Sequence, residues 1–372
     1  MDLHREIPEI NLSPIQRGGI LTPEAKQALI EWGDGYSVCD YCGGRLDLIE
    51  KPNIRKFMYE DLPKFLGSEV ARTTNGAREG IFTVMYALGK EGKGKYVLAD
   101  GNAHYTTKVA SELAGLGIKF VENLGAPEYK IDAEKFIPFL QEEKPALVVL
   151  TYPDGSFGNF SDAKKLAKIC RDFEVPFAIN GAYSVGRLPI KMNEIGADFI
   201  IGSGHKSMAA SGPIGVLGMN REYAERVLEI SKLAKNKEVC LLGCSSRGAT
   251  LMTLMASFPK VVERTKHWDE EVKKARRFSV EMEKLGMVQL GEKPHNHDLM
   301  SFETPILYKI SESHKKKGFF LHAALKERGI GGIKPGKTKV LKMSTYQLTN
   351  DEISKVVNAF REIIEENREL LK

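Results

Sequence analysis

The chain has 372 residues, with 54 lysines and arginines against 49 aspartates and glutamates, a net charge of +5. At about 150 residues per domain, that length predicts two domains. Hydrophobic residues make up 42% of the chain and charged residues 28%, with five cysteines, which excludes a disordered, collagen-like or disulfide-scaffold protein. The charge is too small to mark a nucleic-acid surface by itself. No apolar run approaches the ~20 residues that span a bilayer. Met1–Pro8 lacks the apolar core of a signal peptide, so a cytoplasmic protein with reduced thiols is expected.

From about residue 70 to 220, short apolar runs alternate with amphipathic stretches. Ala77–Leu88 reads as a helix, because Ile81, Val84, Met85 and Leu88 fall at helical spacing. Tyr96–Ala99 follows as a short strand and His104–Leu116 as a second helix. Ala146–Leu150 is a wholly apolar strand, and about 162–173 a helix with Leu166, Ile169, Cys170 and Phe173 on one face. Phe177–Asn180 and Phe199–Gly202 are further strands. Apolar strands alternating with helices predict an α/β fold with a mostly parallel sheet covered on both faces. Ligands in such folds sit beyond the carboxyl ends of the strands, here the loops after Ala99, Leu150, Asn180 and Gly202.

After about Arg221 the texture changes: charged helical segments run from Val261 to Leu285, followed by a glycine-rich connection at Gly329–Gly336. A last helix, about Asp351–Leu371, carries Ile353, Val356, Val357, Phe360 and Ile364 on one stripe. These features predict a smaller α+β C-terminal domain.

Two nucleotide-site matches fail. Gly202–Ser207 has His205 where a phosphate loop needs glycine before its lysine, and no Gly-x-Gly-x-x-Gly joins a strand to a helix. The informative feature is an ordered set. Lys206 leaves an apolar strand among Ser203, Gly204, His205 and Ser207, a setting that suits a Schiff-base lysine. Asn180 ends another buried strand 26 residues earlier. Thr74-Asn75-Gly76-Ala77 opens a helix whose free amides can hold a phosphate. His104 follows the strand at Tyr96–Ala99, where an imidazole can stack on a flat ring.

In this order the segments resemble the aspartate-aminotransferase-type pyridoxal phosphate (PLP) enzymes, and cysteine desulfurases among them. The resemblance implies a large PLP-binding domain at 25–239, a small domain at 240–372, and a segment at 1–24 packing with the small domain. It assigns Lys206 to the covalent bond with the cofactor and Asn75 with Gly76 to the phosphate cradle, with Ser203, Gly204 and His205 nearby. His104 would stack on the ring and Asn180 would face the pyridine nitrogen.

Two departures bear on the reaction. Most relatives carry an aspartate where this chain has Asn180; an amide hydrogen-bonds the pyridine nitrogen but supplies no charge, so the weaker electron sink suits elimination better than transamination. The desulfurase cysteine of the C-terminal third is also missing, since Cys244 is the last cysteine. The others are Cys170, read as a core residue, Cys240, read as structural, and the pair Cys39-Asp40-Tyr41-Cys42. A Cys-x-x-Cys pair fits half a zinc site, a redox pair or a sulfur relay, and three cysteines could hold an iron–sulfur cluster.

With Ile15–Gly19, Cys39-x-x-Cys42, Arg72–Arg78, Gly204–Ser207 and Cys244 with Arg247, the chain resembles the archaeal O-phosphoseryl-tRNA:cysteinyl-tRNA synthases. That resemblance implies PLP-dependent β-replacement on phosphoseryl-tRNA(Cys), by loss of phosphate and addition of sulfur. It implies a homodimer in which Cys39, Cys42 and Cys244 carry sulfur as a persulfide. Arg78, His104, Tyr105 and Arg247 are the candidates for the leaving phosphate, with Arg17 and Arg72 behind them. Lys90, Lys93, Lys95 and His314–Lys317 are candidates for tRNA phosphates, and the phosphoseryl-tRNA synthetase is a candidate partner. The competing readings are a cysteine desulfurase or selenocysteine lyase acting on a free amino acid, and a non-catalytic tRNA or iron–sulfur scaffold.

Overall fold

The computed structural model describes residues 1, 3–34, 53–233, 238, 240–242 and 248–372. Its strands, in chain order, are β1 (Ile10–Asn11), β2 (Val70–Thr74), β3 (Tyr96–Asp100), β4 (Gly117–Val121), β5 (Leu147–Thr151) and β6 (Phe177–Asn180). Then come β7 (Phe199–Ser203), β8 (Gly215–Met219), β9 (Val288–Leu290), β10 (Leu299–Glu303), β11 (Ile330–Gly331) and β12 (Val340–Ser344).

Seven strands form one sheet in the order β2-β8-β7-β6-β5-β3-β4. β3 to β7 run parallel, while β8 runs antiparallel to both β7 and β2. Successive residues of these strands feed opposite layers, as the two-residue period of a strand requires. Leu98, Val148 and Ile200 join one core, with Leu166, Cys170 and Leu254. Val97, Val149 and Ile201 join the other, with Ile81, Val84 and Ala110. Both faces being covered, β3, β5, β7 and β8 are buried at every position, which is why β3, β5 and β7 read as apolar runs.

Helix starts follow local capping. Asp162 accepts from the Lys165 amide at 2.9 Å ahead of Ala163–Asp172, and His104 caps Tyr105–Leu113. The final helix, Asn350–Glu366, opens with a reciprocal capping box between Thr349 and Glu352.

A second core is built on the antiparallel sheet β12-β10-β9 and the helices Pro305–Ser313, Phe320–Glu327 and Asn350–Glu366. β1 pairs in parallel with β11, which puts Ile10 and Leu12 into this core. Pro14–Arg17 then crosses to the other body, where Gly18 accepts from the Ala209 amide at 3.0 Å. The expected domain boundary at 240 needs correction. Cys240, Leu251, Leu254 and Val261 pack in the large-domain layers, and helix Pro23–Glu31 lies against Gly248–Thr265. The two cores divide inside one helix, Trp268–Lys284, with Trp268 in the first and Ala275 in the second.

Candidate active site

The strand register sets one edge of the large sheet. Thr74 and Ser203 both face Gly215, Thr151 faces Asn180, and Asn180 faces Ile201, so β2, β5, β6 and β7 end together. The loops leaving that edge enclose a cavity of about 350 Å³. Asn75, Gly76, Arg78, His104 and Tyr105 line one part of it; Asn180, Ser203, His205 and Lys206 line another. Gly204, expected beside the phosphate, is buried, and a Cβ there would meet Ile214 Cγ2 at 2.8 Å.

Lys206 sits in the single turn Gly204–Ser207 and is half-buried. Its Nζ lies 5.3 Å from the centroid of the Tyr183 ring, and the Arg187 guanidinium lies 5.4 Å from the same ring. Burial, and then the Arg187 charge, push the Lys206 amine below its ordinary value, which favours a free-amine nucleophile. His104 is neutral for the same first reason: burial, followed by the charges of Lys206, Arg78 and Lys342, brings its pKa down to about 4. His205 Nδ1 lies 3.0 Å from the Ile214 carbonyl oxygen, and burial lowers its pKa.

The residues fit pyridoxal phosphate. Asn180 Oδ1 and Ser203 Oγ are buried in the cavity wall without a hydrogen-bond partner, two polar atoms that a bound ligand would satisfy. The turn is as tight as a phosphate cradle: Gly76 has φ +100°, and a Cβ on Gly215 would meet the Gly76 carbonyl carbon at 2.6 Å. At the cavity mouth, Arg78 Nη2 donates to the Tyr105 hydroxyl at 3.1 Å, and its guanidinium lies 5.4 Å from that ring.

Other expected residues fall elsewhere. Arg17 is buried, and its Nε donates to the Tyr346 carbonyl at 2.6 Å. Arg72 forms a two-pronged pair with Glu238 at 2.9 and 3.0 Å. Both are engaged within the chain, and neither is among the residues lining the cavity. Cys39, Cys42, Cys244 and Arg247 lie outside the described residues. Cys170 and Cys240 are buried, and burial raises both thiols. Among the described residues, no group of three or more His, Cys, Asp or Glu side chains is arranged to hold a metal ion. Lys90, Lys93 and Lys95 precede β3 and so stand at the opposite edge of the sheet; Lys90 also pairs with Glu229 at 2.6 Å.

The structure adds residues the sequence did not single out. A second cavity, about 720 Å³, adjoins the first through His104, Gly155 and Tyr183. Lys334, Lys337, Lys339 and Lys342 line it, and Lys342 Nζ donates to the Gly155 carbonyl at 2.9 Å. Their spread across the glycine-rich connection and β12 hides them from any local motif. Arg187 is wholly buried: it donates to Asp298 Oδ2 at 2.7 Å and to the Pro14 and Lys206 carbonyls at 2.6 and 3.3 Å.

Among the described residues, no helix is long and apolar enough to cross a membrane. A family model described as O-phosphoseryl-tRNA(Sec) selenium transferase matches residues 56–365. The O-phospho-L-seryl-tRNA:Cys-tRNA synthase of Methanosarcina mazei is 54% identical over 361 residues, 95% of this chain and 93% of the relative. A solved SepCysS–SepCysE N-terminal domain complex superposes with a TM-score of 0.90 at 48% identity, covering 99% of this chain and 97% of the other. A cysteine desulfurase from Thermococcus onnurineus shares the fold alone, with a TM-score of 0.75 at 17% identity over 96% of this chain and 95% of its own. With an identity above half sustained along almost the entire chain, this protein belongs to the O-phospho-L-seryl-tRNA:Cys-tRNA synthase family.

Proposed function

We propose that the chain converts O-phosphoseryl-tRNA(Cys) to cysteinyl-tRNA(Cys) in the 350 Å³ cavity, with pyridoxal phosphate bound covalently to Lys206. The observation that carries this reading is the convergence there of Lys206 with the unpartnered Asn180 Oδ1 and the Gly76 turn. The Asn75–Gly76 amides, Ser203 and His205 would hold the cofactor's phosphate, His104 would cover its ring, and Asn180 would meet its pyridine nitrogen. When bound, the cofactor supplies an electron sink for the substrate α-carbon.

The chain's own residues then divide the work. Lys206, already biased toward the neutral amine, takes the α-proton. Arg78, steadied by the Tyr105 hydroxyl, faces the departing phosphate, which carries about −1.5 to −2 charges. His104 stays neutral near pH 7 and adds no competing cation beside Lys206. Sulfur comes as a persulfide on one of Cys39, Cys42 and Cys244. Its outer sulfur bonds to the β-carbon from which phosphate has left; a second thiolate then displaces the product thiolate and forms a protein disulfide, which an external thiol reduces. The lysine-lined cavity receives phosphates of the acceptor strand, so tRNA affinity falls with salt. The family resemblance supports a homodimer with both subunits contributing to each site.

The test is conversion of phosphoseryl-tRNA to cysteinyl-tRNA with sulfide and PLP, beside Lys206→Ala. Product from the wild type and none from the variant supports the reading. Cofactor bound with no product, but sulfur released from free cysteine, refutes it in favour of desulfurase chemistry.

A further inference from the structure

Three oxygens at the carboxyl edge of the large sheet are buried without a hydrogen-bond partner: Asp100 Oδ1 on β3, Thr151 Oγ1 on β5 and Asn180 Oδ1 on β6. These strands stand side by side. Thr151 and Asn180 line the cavity; Asp100 does not, and is fully buried. Its Oδ2 accepts from the Thr151 amide at 2.7 Å, which holds the carboxylate against β5. Thr151 in turn faces Asn180, one strand spacing or about 4.8 Å away.

Two other buried carboxylates that tie backbone together spend both oxygens. Asp154 accepts from the Ser156 and Phe157 amides with Oδ1, at 2.8 and 2.7 Å, and from the Asn159 amide with Oδ2, at 3.2 Å. Asp198, at the opposite edge of the sheet, accepts from the Phe177 amide at 2.8 Å and from Asn220 Nδ2 at 3.1 Å. Asp100 leaves one oxygen unused. That costs stability in a buried group, and strand pairing does not require it.

We propose that Asp100 is a positioning residue that keeps a proton on the cofactor's pyridine nitrogen, supplying across β5 the negative charge that Asn180 lacks; this rests on the PLP reading above. An amide oxygen can accept from a protonated ring nitrogen but offers it no counter-charge, and Asp100 provides one from the strand next but one. Burial, opposed by the Thr151 amide and aided by Asp154, brings the Asp100 pKa up to about 7, and a cationic ring nearby draws the carboxyl back to its ionised form. Of the charged groups around it, Asp154 lies in the loop after β5 and is itself opposed by Lys342 of β12, while His104, on Asp100's own loop, is neutral. At about 10 Å and an effective dielectric of about 20, one unit charge shifts a proton equilibrium about tenfold.

The test is nitrogen-15 NMR of the full chain loaded with PLP labelled at the pyridine nitrogen, whose resonance reports the proton directly, titrated across pH. Asp100→Asn keeps an acceptor for the Thr151 amide and removes the charge, so the midpoint should fall by about one pH unit. Asp100→Ser also keeps an acceptor; it should lower the midpoint equally, and it serves if the asparagine variant does not fold. Asp198→Asn, which removes a buried carboxylate at the far edge of the sheet, should leave the midpoint within about 0.3 pH unit of the wild type. A midpoint that stays or rises in the Asp100 variants, or that falls as far in Asp198→Asn, would overturn the proposal while leaving the PLP reading intact. A resonance matching that of free PLP, with no difference in Lys206→Ala, would overturn both.

Discussion

Replacing Asp298 by asparagine strikes the joint between the two cores. Arg187 and Asp298 meet at 2.7 Å with both side chains fully buried. Asp298 also accepts from Ser344 Oγ at 2.5 Å, while Arg187 donates to Ser207 Oγ at 3.2 Å and to the Pro14 carbonyl at 2.6 Å. The cluster thus joins the start of β10, the loop after β6, the N-terminal segment and the Lys206 turn. Asparagine keeps the shape but leaves a sealed guanidinium without its counter-charge, a loss of about 3–5 kcal/mol. At a urea m-value of about 3 kcal/mol/M, the unfolding midpoint should fall by about 1–1.7 M at pH 7. Trp268, whose ring lies 5.1 Å from that of His297, reports the transition by fluorescence. The acid dependence follows from the direction of the shift. Burial is the largest influence and raises the Asp298 pKa, but Arg187, His297 and Ser344 together carry it below its ordinary 3.8. A lowered carboxylate contributes stability above that value and loses it as pH falls through the folded pKa. Wild type and variant should therefore differ most near neutrality and converge in strong acid. A midpoint shift under about 0.3 M at pH 7, less than 1 kcal/mol at that m-value, would refute the reasoning.

Three further outcomes are expected. Arg78→Ala should slow phosphate release from phosphoseryl-tRNA about 100-fold in single-turnover assays, with Arg78→Lys recovering part of it; an unchanged rate removes Arg78 from the site. His297 is fully buried with a pKa near 4; in the neutral form its Nε2–H donates to the Tyr183 carbonyl at 3.1 Å and its Nδ1 accepts from the Leu299 amide at 2.9 Å. The unfolded chain then binds the extra proton, so about 2 kcal/mol of stability should be lost between pH 7 and pH 5 in denaturant melts, and His297→Gln should show a smaller drop. Gly215→Ala should weaken PLP binding about 10-fold in absorbance titrations, because the new Cβ meets the Gly76 carbonyl carbon at 2.6 Å and the Ala77 amide nitrogen at 2.9 Å.

The elements visible in the sequence are those whose faces are decided locally. Helix Ala77–Gly89 and strands β3, β5, β6 and β7 appear within a residue or two of their expected ends, since full burial leaves an apolar run and one-sided burial leaves a helical stripe. β2 escapes that pattern because it buries Arg72, Thr73 and Thr74, and β8 because its five residues include two glycines. The cores divide beyond 240 because the largely apolar helix Gly248–Thr265, which the change of texture after Arg221 placed with the small domain, packs Leu251, Leu254 and Val261 on the large one.

Lys206, His104, Asn75, Gly76 and Asn180 were readable because each follows its own strand, and parallel strands in one sheet bring their carboxyl ends to a single edge. What depended on contact between distant parts of the chain was not. The Arg187–Asp298 pair spans 111 residues and the Asp100–Thr151 bond 51. The four lysines of the neighbouring cavity become a wall only when the small domain is set against the His104 loop. Sequence alone determined which strands exist and what chemistry their ends carry, because periodicity and strand-exit residues are local properties. Tertiary structure alone decided which charges are buried together and which backbone amides one carboxylate can reach, because those energies depend on distance in space.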